Sequence, residues 1–462
     1  MRLSPVKTRL RASFFGTVVT LTDLLPPRLR YGYAHRITRM LFSGPLSTVT
    51  PAVSRNVSSA AVSNAPTPDV TCAILADHLD VGGIGAVVEM LASNFESVGV
   101  RPVIVCHGDG KRAQSLRQRG IDVHSVADSA SAQAALAGSG AGVLQLHSAP
   151  DYLERAGMAT YLPIVTVMHN TEIHYTAKKW RAYTALMERS AAGVAVSETV
   201  REYHAQHLSP ELGQRITVVP NGAPALSSAS TTDRQRARLA VAEAVGTDIG
   251  NEVLFICLAR YDSQKNIAGT AVAFARAARV HSDIRLIFAG DPSDWAELRR
   301  AQALGDLAGG SRSIHFLGNS DAATLLTAGD VFVLNSFFEG WPVAATEALA
   351  AGLPLVLSEV GGATELVSRD PQFSIMTPNP AGDAAGISDA LVRKARRRSH
   401  VQPGSQALEA AIGTVAARIR EVARPLSPRS SPGITDMLCS HAQVLREALR
   451  AHAREPSSPE SR

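Results

Sequence analysis

Short apolar runs alternate with stretches of helical periodicity along most of the chain, beginning at Val70. Runs of four to eight residues rich in Val, Ile and Leu are typical of buried parallel strands. A first array of such runs ends near residues 216–222. Its predicted strands are Thr71–Ala76, Pro102–Cys106, Asp122–Val126, Gly142–His147, Pro163–His169 and Gly193–Ser197.

A second array of the same kind follows, with helices centred on residues 271–279, 295–303, 322–326 and 343–351. Two successive arrays predict an α/β fold with two Rossmann-like, doubly wound parallel-sheet domains. Ligands of such sheets bind outside the carboxyl ends of the strands, so we expect the two domains to face a cleft. The second array's predicted strands are Val253–Ala259, Ile284–Ala289, Ile314–Leu317, Val331–Asn335 and Leu355–Leu357.

Segments of different composition surround and separate the two arrays. We expect a final helix near residues 436–451 and a disordered tail after it. The chain is therefore expected to divide into a basic leader with a Ser/Pro/Ala-rich linker (1–68), the first domain (69–223), a polar interdomain connection (224–250), the second domain (251–425), and the C-terminal helix with its tail (426–462).

The positive charge of the chain is concentrated at its N-terminus. Residues 1–40 hold eight Lys or Arg and one acid, which leaves a net charge of −2 on the other 422 residues. A nucleic-acid-binding domain is therefore disfavoured. The leader is expected either to be disordered or to lie as a basic, partly amphipathic segment on an anionic membrane. No run approaches the roughly 20 apolar residues that a spanning helix needs.

The four cysteines are widely spaced, and none forms a CxxC pair. Structural zinc sites and disulfide frameworks are therefore disfavoured, and a reducing cytosol fits this pattern.

The strongest local motif extends from Asn335 to Pro354. It predicts a buried strand, a turn with Glu339 just outside the strand end, and a helix that carries Glu347 about two turns in. The backbone N–H groups of Gly340, Trp341 and Val343 would surround the N-terminus of this helix, which favours an anion. A carboxylate at an anion site suits a ligand that also offers hydroxyl groups, and sugars do.

The loop after the first strand of the second array places Arg260 and Lys265 five residues apart. Two cations near a strand end suit a diphosphate leaving group. The same pair also fits an ordinary surface loop with salt bridges. Asp262 and Gln264, which lie between them, are interpreted as loop residues without a site role.

Three features of the first array could contact a ligand. The turn Gly82-Gly83-Ile84-Gly85 would let backbone approach a phosphate closely, and His147 and His169 each end a predicted strand. A dinucleotide fingerprint is incomplete, because Val88 replaces its third glycine and no acid ends the second strand. A dehydrogenase is therefore disfavoured.

Residues 335–354 resemble the E-x7-E signature of the family-4 retaining glycosyltransferases, and weaker likenesses extend from about Val70 to Arg398. The family's R-L-x-x-x-K-G/N motif resembles Leu258–Asn266, and its x-H-x-T segment resembles Met168–Thr171. Residues 219–222 are similar to its P-N-G-V turn, and residues 360–365 to its V-G-G-x-x-E motif.

The resemblance implies a GT-B fold and a hexosyl transfer, with retention, from a nucleoside-diphosphate sugar to a glycan or lipid-linked acceptor, in glycan, glycolipid or cell-envelope biosynthesis. The first domain would then lie on the acceptor side, and the second would bind the donor. It places Glu339 and His169 near the donor sugar, and it favours His169 over His147. It places Glu347 at the ribose and Arg260 and Lys265 at the diphosphate. Gly82 and Gly83 would lie near donor phosphate and acceptor, and the donor site would also include Gly340, Trp341, Pro342 and Val343.

The chain has no Asp-x-Asp pair of the kind that metal-dependent GT-A transferases use, so neither a metal nor another cofactor is implied. A cytoplasmic location is expected, with contact of residues 1–68 at the inner face of the membrane as the alternative to a disordered leader. A non-catalytic GT-B protein that binds a nucleotide-sugar or a partner is the competing interpretation.

Overall fold

The computed structural model describes residues 5–26, 29–30, 34–53, 67–80, 82–223, 229–421 and 431–454. The chain divides into two compact units. The seven-strand unit comprises Ser59–Gly222 and Pro432–Arg462, and the six-strand unit comprises Met1–Ser58 and Ala223–Ser431. The described elements alternate strand and helix through both arrays.

The strands of the seven-strand unit are short and mostly buried. They are β1 (Val70–Ala76), β2 (Val100–His107), β3 (Asp122–Val126), β4 (Val143–His147), β5 (Ile164–Met168), β6 (Ala192–Ala195) and β7 (Ile216–Val218). Those of the six-strand unit are β8 (Val253–Leu258), β9 (Ile284–Ala289), β10 (Ile314–Leu317), β11 (Val331–Leu334), β12 (Leu355–Ser358) and β13 (Ile375–Thr377).

The helices, in chain order, are α1 (Pro5–Asp23), α2 (His35–Phe42), α3 (Gly82–Asn94), α4 (Lys111–Gln118), α5 (Ser129–Gly138), α6 (Asp151–Met158), α7 (Ala177–Arg189), α8 (Glu198–Ala205), α9 (Pro210–Gln214), α10 (Thr231–Val245), α11 (Ile267–Val280), α12 (Trp295–Leu307), α13 (Ala322–Ala328), α14 (Val343–Ala350), α15 (Ala363–Val367), α16 (Asp389–Arg397), α17 (Ser405–Glu421) and α18 (Ile434–Arg454).

Both sheets are wholly parallel in their described pairings. The seven strands follow the order β3-β2-β1-β4-β5-β6-β7, and the six follow β10-β9-β8-β11-β12-β13. In each order the chain reverses direction beside the first strand of the array, which is the switch point where doubly wound sheets bind ligands. This confirms the predicted fold class.

Most predicted strand limits lie within two residues of the observed ones, because continuous apolar runs mark strands that are buried on both faces. Strand β13 was not predicted, since it has only three residues, of which one is buried, and lacks an apolar run. The predicted turn at Gly82–Gly85 is wrong in one respect: these residues form the first turn of α3.

The leader differs from the disordered segment that was one of our two expectations. Helix α1 packs on α12 through Ala12, Phe15 and Val19, which are all buried. Farther along, the Ser47 carbonyl accepts a hydrogen bond from Gly318 N at 2.8 Å, and the Val49 carbonyl accepts one from Asp321 N at 2.9 Å. The described part of the leader is therefore an ordered layer on the six-strand unit; residues 54–66 of the expected linker lie outside the described residues.

The expected interdomain connection contains helix α10. A capping box between Ser230 and Asp233 starts this helix, and Gly246, with a φ of 67°, ends it. Arg238 Nη1 lies 3.2 Å from Asp330 Oδ2, and Arg234 pairs with the same carboxylate. Residues 231–245 are therefore fastened to the six-strand unit.

The predicted C-terminal helix is present as α18 and belongs to the seven-strand unit. Arg446 Nη2 lies 2.8 Å from Asp69 Oδ1, at the start of β1. Gln145 and His441 join their side chains at 2.9 Å between β4 and α18. The last described helix thus completes the domain that contains the first array.

Candidate active site

Glu339 follows β11 and lies in a dense set of hydrogen-bond donors. Its Oε1 is 2.5 Å from Lys265 Nζ and accepts a hydrogen bond from Ser336 Oγ at 2.6 Å. Its Oε2 accepts a hydrogen bond from Gln264 Nε2 at 3.2 Å. The Glu339 side chain is 6% exposed and that of Lys265 is 16% exposed. The structure therefore brings together two residues that the sequence placed in separate motifs.

Strand pairing explains how these motifs meet. Strands β8 and β11 are parallel neighbours, so the loops after them leave the same edge of the sheet. Gln264 joins the loops, because its carbonyl accepts a hydrogen bond from Phe337 N at 2.9 Å and its side-chain amide donates to the Phe338 carbonyl at 2.9 Å. Gln264, which we had interpreted as a loop residue, is thus the side chain that sequence reasoning missed.

Lys265 is held in place by the residues on either side of it in the chain. Asp262 Oδ1 accepts hydrogen bonds from Gln264 N and Lys265 N, at 2.9 and 3.2 Å. Asn266 has a φ of 49° in the left-handed region, which Asn and Gly tolerate better than other residues do. Its amide exchanges two hydrogen bonds with Gln402, at 2.9 and 2.8 Å. The Lys265 side chain therefore projects from a loop that hydrogen bonds hold in place.

Arg260 differs from Lys265 in exposure. Its side chain is 42% exposed, and its Nη2 lies 3.2 Å from Asp262 Oδ2. The two cations of the motif are thus positioned separately, Lys265 on the buried carboxylate of Glu339 and Arg260 at the surface of the same loop. Arg260 is accessible to a ligand, and only one of its donors is occupied by Asp262.

The N-terminus of α14 lies directly after Glu339. Within the described residues, the backbone N–H groups of Gly340 and Trp341 donate no hydrogen bond. Pro342 occupies the N-cap without a side-chain cap, so the first amides of the helix, including that of Val343, also lack intrahelical partners. This turn offers several amides and the positive end of a helix to an anion.

Close packing holds that turn against the next loop. A Cβ on Gly361 would lie 2.3 Å from the Gly340 carbonyl oxygen, and a Cβ on Gly362 would lie 2.2 Å from the Trp341 ring. Gly361 also has a φ of 48°. Trp341 Nε1 donates to Thr346 Oγ1 at 2.7 Å. In the turn that follows Glu339, the backbone thus requires Gly361 and the Trp341 side chain requires Gly362.

Glu347 lies in α14 and is half-buried. Its carboxylate makes no hydrogen bond or ion pair with the described residues, and burial raises its pKa above the ordinary value. A carboxylate in this state has all of its acceptor positions available to a ligand.

In the seven-strand unit, His169 and His147 are in direct contact. His169 Nε2 and His147 Nδ1 are 2.8 Å apart, and both rings are buried. Burial, with a contribution from nearby His441, lowers the pKa of His169 to about 3, and burial lowers that of His147 well below its usual range. Both imidazoles are therefore neutral at physiological pH, and one donates a hydrogen bond to the other. The sequence favoured one of two residues whose side chains the structure places in contact.

The glycines at the start of α3 have different surroundings. A Cβ on Gly85 would lie 1.8 Å from the Leu79 carbonyl oxygen, so packing against the loop after β1 requires glycine there. A Cβ on Gly83 would have no neighbour within 4 Å. Gly82 and Gly83 thus occupy a helical first turn, whose amides lack intrahelical partners, and not the loop that we expected.

Across the described ranges of the chain, no group of three or more His, Cys, Asp or Glu side chains is arranged to hold a metal ion. That a metal is not needed stays a prediction. In the same ranges, no helix combines the length and apolar character that crossing a membrane requires.

Two family models match the chain, one in each array. The model described as Glycosyltransferase Family 4 matches residues 81–225, and the one described as Glycosyl transferases group 1 matches residues 244–405. Together they span about two thirds of the chain.

Several named relatives are glycosyltransferases. The chain is 25% identical over 269 residues to a glycogen synthase of Mycobacterium tuberculosis, covering 54% of this chain and 59% of the relative. It is 27% identical over 235 residues to the 2-deoxystreptamine glucosyltransferase of Streptomyces kanamyceticus, covering 49% and 57%. An amylovoran biosynthesis glycosyltransferase of Erwinia amylovora is 33% identical over 125 residues, covering 26% and 30%. The matches thus span less than two thirds of each relative's own length.

Solved structures share the fold. A glycosyltransferase from Rickettsia africae superposes with a TM-score of 0.62 at 16% identity, covering 82% of this chain and 99% of that one. HepE from Anabaena, solved in complex with UDP-glucose, gives a TM-score of 0.60 at 16% identity, covering 82% and 99%. Because a family model matches each of the two arrays and the fold agrees with that of solved glycosyltransferases, the chain belongs to the GT-B glycosyltransferases of the family-4 and group 1 type.

Proposed function

We propose that this protein is a retaining hexosyltransferase that moves a sugar from a nucleoside-diphosphate sugar to an acceptor hydroxyl group. The observation that carries the proposal is the junction after β8 and β11. There the buried Lys265–Glu339 pair, an exposed arginine and the open N-terminus of α14 lie within two adjoining loops. Cations, free amides and carboxylates side by side suit a ligand that combines phosphates with hydroxyl groups.

Two sets of donors would bind the diphosphate. The exposed guanidinium of Arg260 and the remaining donors of Lys265 neutralise charge that develops on the leaving oxygens. The amides of Gly340, Trp341 and Val343 add the positive end of α14. In the other unit, the first-turn amides at Gly82 and Gly83 are proposed to contact donor phosphate and acceptor.

The carboxylates have separate tasks in this proposal. Glu339 accepts hydrogen bonds from Lys265, Ser336 and Gln264 and is thereby fixed. Its remaining lone pairs orient a hydroxyl group of the donor sugar. Glu347, which has no partner among the described residues, accepts hydrogen bonds from the ribose hydroxyls.

The transfer step needs no protein nucleophile. The acceptor oxygen attacks the anomeric carbon from the face on which the diphosphate leaves, and the bond between that carbon and the phosphate oxygen breaks. The acceptor proton passes to an oxygen of the departing diphosphate. The configuration is retained because bond formation and bond cleavage occur on the same face.

His169 is proposed to act as a neutral imidazole beside the donor sugar. Its lowered pKa makes it an unsuitable cation, and its hydrogen bond with His147 orients the ring. It therefore contributes a directed hydrogen bond to a sugar hydroxyl rather than a charge. No metal takes part in this scheme.

The acceptor is proposed to be a glycan or a lipid-linked sugar. Names among the relatives support this class, since they include a glycogen synthase, an amylovoran biosynthesis enzyme and a teichuronic acid biosynthesis enzyme. We also propose a cytoplasmic enzyme that works in contact with the membrane surface, where a lipid-linked acceptor would lie.

A donor panel tests the chemistry. The protein is incubated with UDP-, GDP- and ADP-hexoses and with membrane lipid extracts, and release of the nucleoside diphosphate is measured. We expect release from one donor class and, by NMR of the product, an anomeric configuration equal to that of the donor. An inverted product would contradict retention. Absence of release from every donor, with the nucleotide still bound, would favour the non-catalytic alternative.

A further inference from the structure

The outer face of α1 and α2 carries large apolar side chains that no described part of the chain covers. On α1, Val6, Leu10 and Leu21 are between 59% and 66% exposed. On α2, Met40 is 78% exposed and Leu41 is 61% exposed. Large apolar side chains at such exposure, gathered on two neighbouring helices, mark an interaction surface.

Helical geometry places the exposed apolar side chains of α1 on one side of that helix. At about 100° per residue, Val6, Leu10, Phe14 and Leu21 fall within an arc of roughly 80°. Ala12, Phe15 and Val19 lie on the opposite side of α1 and are buried against α12. The Phe14 and Phe42 rings, with centroids 6.0 Å apart, join the apolar faces of the two helices.

Buried polar contacts anchor this layer and hold its face outward. Asp23, at the end of α1, is fully buried and pairs with Arg396 of α16. At the start of α2, His35 Nε2 lies 3.6 Å from Asp294 Oδ2 at the N-cap of α12. The apolar face is therefore presented by helices that are docked on the six-strand unit.

The exposed charged residues on α1 and α2 themselves are all basic. The described residues 5–26 and 34–53 contain one acid, the buried Asp23, whereas Lys7, Arg9, Arg36 and Arg39 are exposed. Helix α16, which contacts α1, adds a basic run whose members Lys394, Arg397 and Arg398 are also exposed. Arg9 and Arg397 line a groove of about 400 Å³ beside α1.

We propose that this face binds an anionic phospholipid surface, with the apolar side chains entering the headgroup region and the cations contacting lipid phosphates. Surfaces that combine exposed apolar side chains with basic residues bind at the membrane interface. A second copy of the chain suits the face poorly, because a twofold contact would oppose its arginines to each other. The inference rests on the proposed function for its setting, but lipid binding requires no turnover.

Vesicle co-sedimentation of the full chain tests this surface. Three exposed apolar residues are changed together in Leu10→Gln/Leu21→Gln/Met40→Gln. The matched control is Tyr161→Gln/Leu239→Gln/Val280→Gln, whose side chains are 92%, 70% and 76% exposed elsewhere on the chain. We expect wild type and control to bind phosphatidylglycerol vesicles and the face variant to bind at least about tenfold more weakly.

A second set of variants tests the charges. Arg9→Gln/Arg36→Gln/Arg39→Gln is compared with Arg181→Gln/Arg215→Gln/Arg312→Gln, which removes three exposed cations from other surfaces. We expect the first set to weaken binding about tenfold or more at low salt, and the control set to change it little. Wild type should bind phosphatidylcholine vesicles far more weakly than phosphatidylglycerol vesicles.

Two results would overturn the inference. One is binding of wild type and of the face variant to phosphatidylglycerol at equal levels, including no binding by either. The other is a wild-type dimer in solution that the face variant converts to monomer, because a second copy would then cover the face. Failure of the proposed function is distinguishable, since an inactive Lys265→Ala protein should still bind vesicles.

Discussion

Lys265 and Glu339 form an ion pair that is largely withdrawn from water. Removal of one member of such a pair leaves an uncompensated charge and costs about 3–5 kcal/mol. Arg260 is different, because its side chain is nearly half exposed and its partner Asp262 also accepts backbone hydrogen bonds. The two cations of one motif should therefore respond differently to substitution.

We predict that Arg260→Ala lowers turnover by about 10²–10³-fold, which corresponds to roughly 2.7–4 kcal/mol of lost charge stabilisation, and leaves the melting temperature nearly unchanged. Lys265→Ala should lower both turnover and melting temperature. Donor turnover and thermal melts check this, with Arg312→Ala as the control for loss of an exposed arginine. Wild-type turnover in Arg260→Ala would remove the diphosphate assignment.

Glu347 gives a pH-dependent prediction. Burial raises the pKa of its carboxyl group, so the charged form is lost at a higher pH than for an ordinary glutamate. If the carboxylate binds the ribose, affinity for the free nucleoside diphosphate should fall as the pH falls through that raised pKa. Glu347→Gln should bind weakly and lose this part of the pH dependence.

Calorimetric titration of the nucleotide at several pH values measures this effect. Glu339→Gln serves as the comparison, because it should cripple transfer while affecting nucleotide affinity less. Equal losses of affinity in the two variants would contradict the division of roles between the carboxylates.

The sequence pointed to the residues of the candidate site but not to the contacts between them. Glu339 and Lys265 were both predicted, but their contact depends on β8 lying beside β11, and these strands are separated in the chain by β9 and β10. The same holds for His147 and His169, whose contact follows from the pairing of β4 with β5. Gln264 gave no signal, since a single polar loop residue becomes informative only once its neighbours are in place.

At the scale of elements, helix α18 closes the seven-strand unit through a tight backbone contact. A Cβ on Gly222 would lie 2.4 Å from the Gly433 carbonyl oxygen, just before α18 begins. Gly222 N also lies 3.3 Å from Met437 Sδ in the first turns of that helix. The end of the first array and the start of the last helix are therefore packed without room for a side chain.

We predict that Gly222→Ala destabilises the seven-strand unit by about 1–3 kcal/mol, since the added methyl group must displace backbone. Gly138→Ala is the matched control, because a Cβ there would meet nothing within 4 Å. Urea unfolding, monitored by hydrogen exchange of the β4 and β5 amides, distinguishes the two variants. Equal protection in both variants would show that the contact near α18 can relax freely.

Element prediction failed where packing, rather than pattern, defines the structure. The α1 segment contains Gly16 and several threonines, and its apolar residues lie on both the buried and the exposed faces. The sequence of this segment therefore shows no single amphipathic stripe that would have predicted an ordered helix docked on the domain. The place of α18 was equally hidden, because order along the chain assigns it to the second array whereas its contacts lie with the first.

At the scale of the whole molecule, four buried neutral imidazoles make the seven-strand unit sensitive to acid. Burial lowers the pKa of His169 to about 3 and those of His204 and His441 to about 4, and it also lowers that of His147. The unfolded chain takes up protons on these residues below pH 6.5, whereas the folded unit does not, so acid favours unfolding.

We predict that stability falls as the pH decreases from about 6.5 toward 4, by up to about 1.4 kcal/mol per pH unit for each imidazole. Glu172 and Glu154 act in the opposite direction, because burial raises the pKa of both carboxyl groups, that of Glu172 to about 7. The four imidazoles outnumber these two carboxyl groups. Thermal melts between pH 7.5 and 4.5 measure how steeply the melting temperature falls with pH, and this fall should be smaller in His441→Gln. A melting temperature that does not change with pH would contradict the buried neutral state of the four imidazoles.

The division into two parallel-sheet domains was predictable because buried parallel strands leave continuous apolar runs. The E-x7-E signature singled out the loop after β11, which we propose to bind the donor. The proposed function depends on the binding of a nucleoside diphosphate by this loop, which carries Glu339.

A thermal-shift series of the full chain with nucleoside diphosphates and their hexose conjugates is the direct test of this binding. We predict that one nucleoside diphosphate and its sugar conjugates raise the melting temperature with increasing concentration, and that Arg260→Ala needs far more ligand for the same shift than Arg312→Ala does. No shift with any nucleotide, or equal shifts in Arg260→Ala and the control, would contradict it.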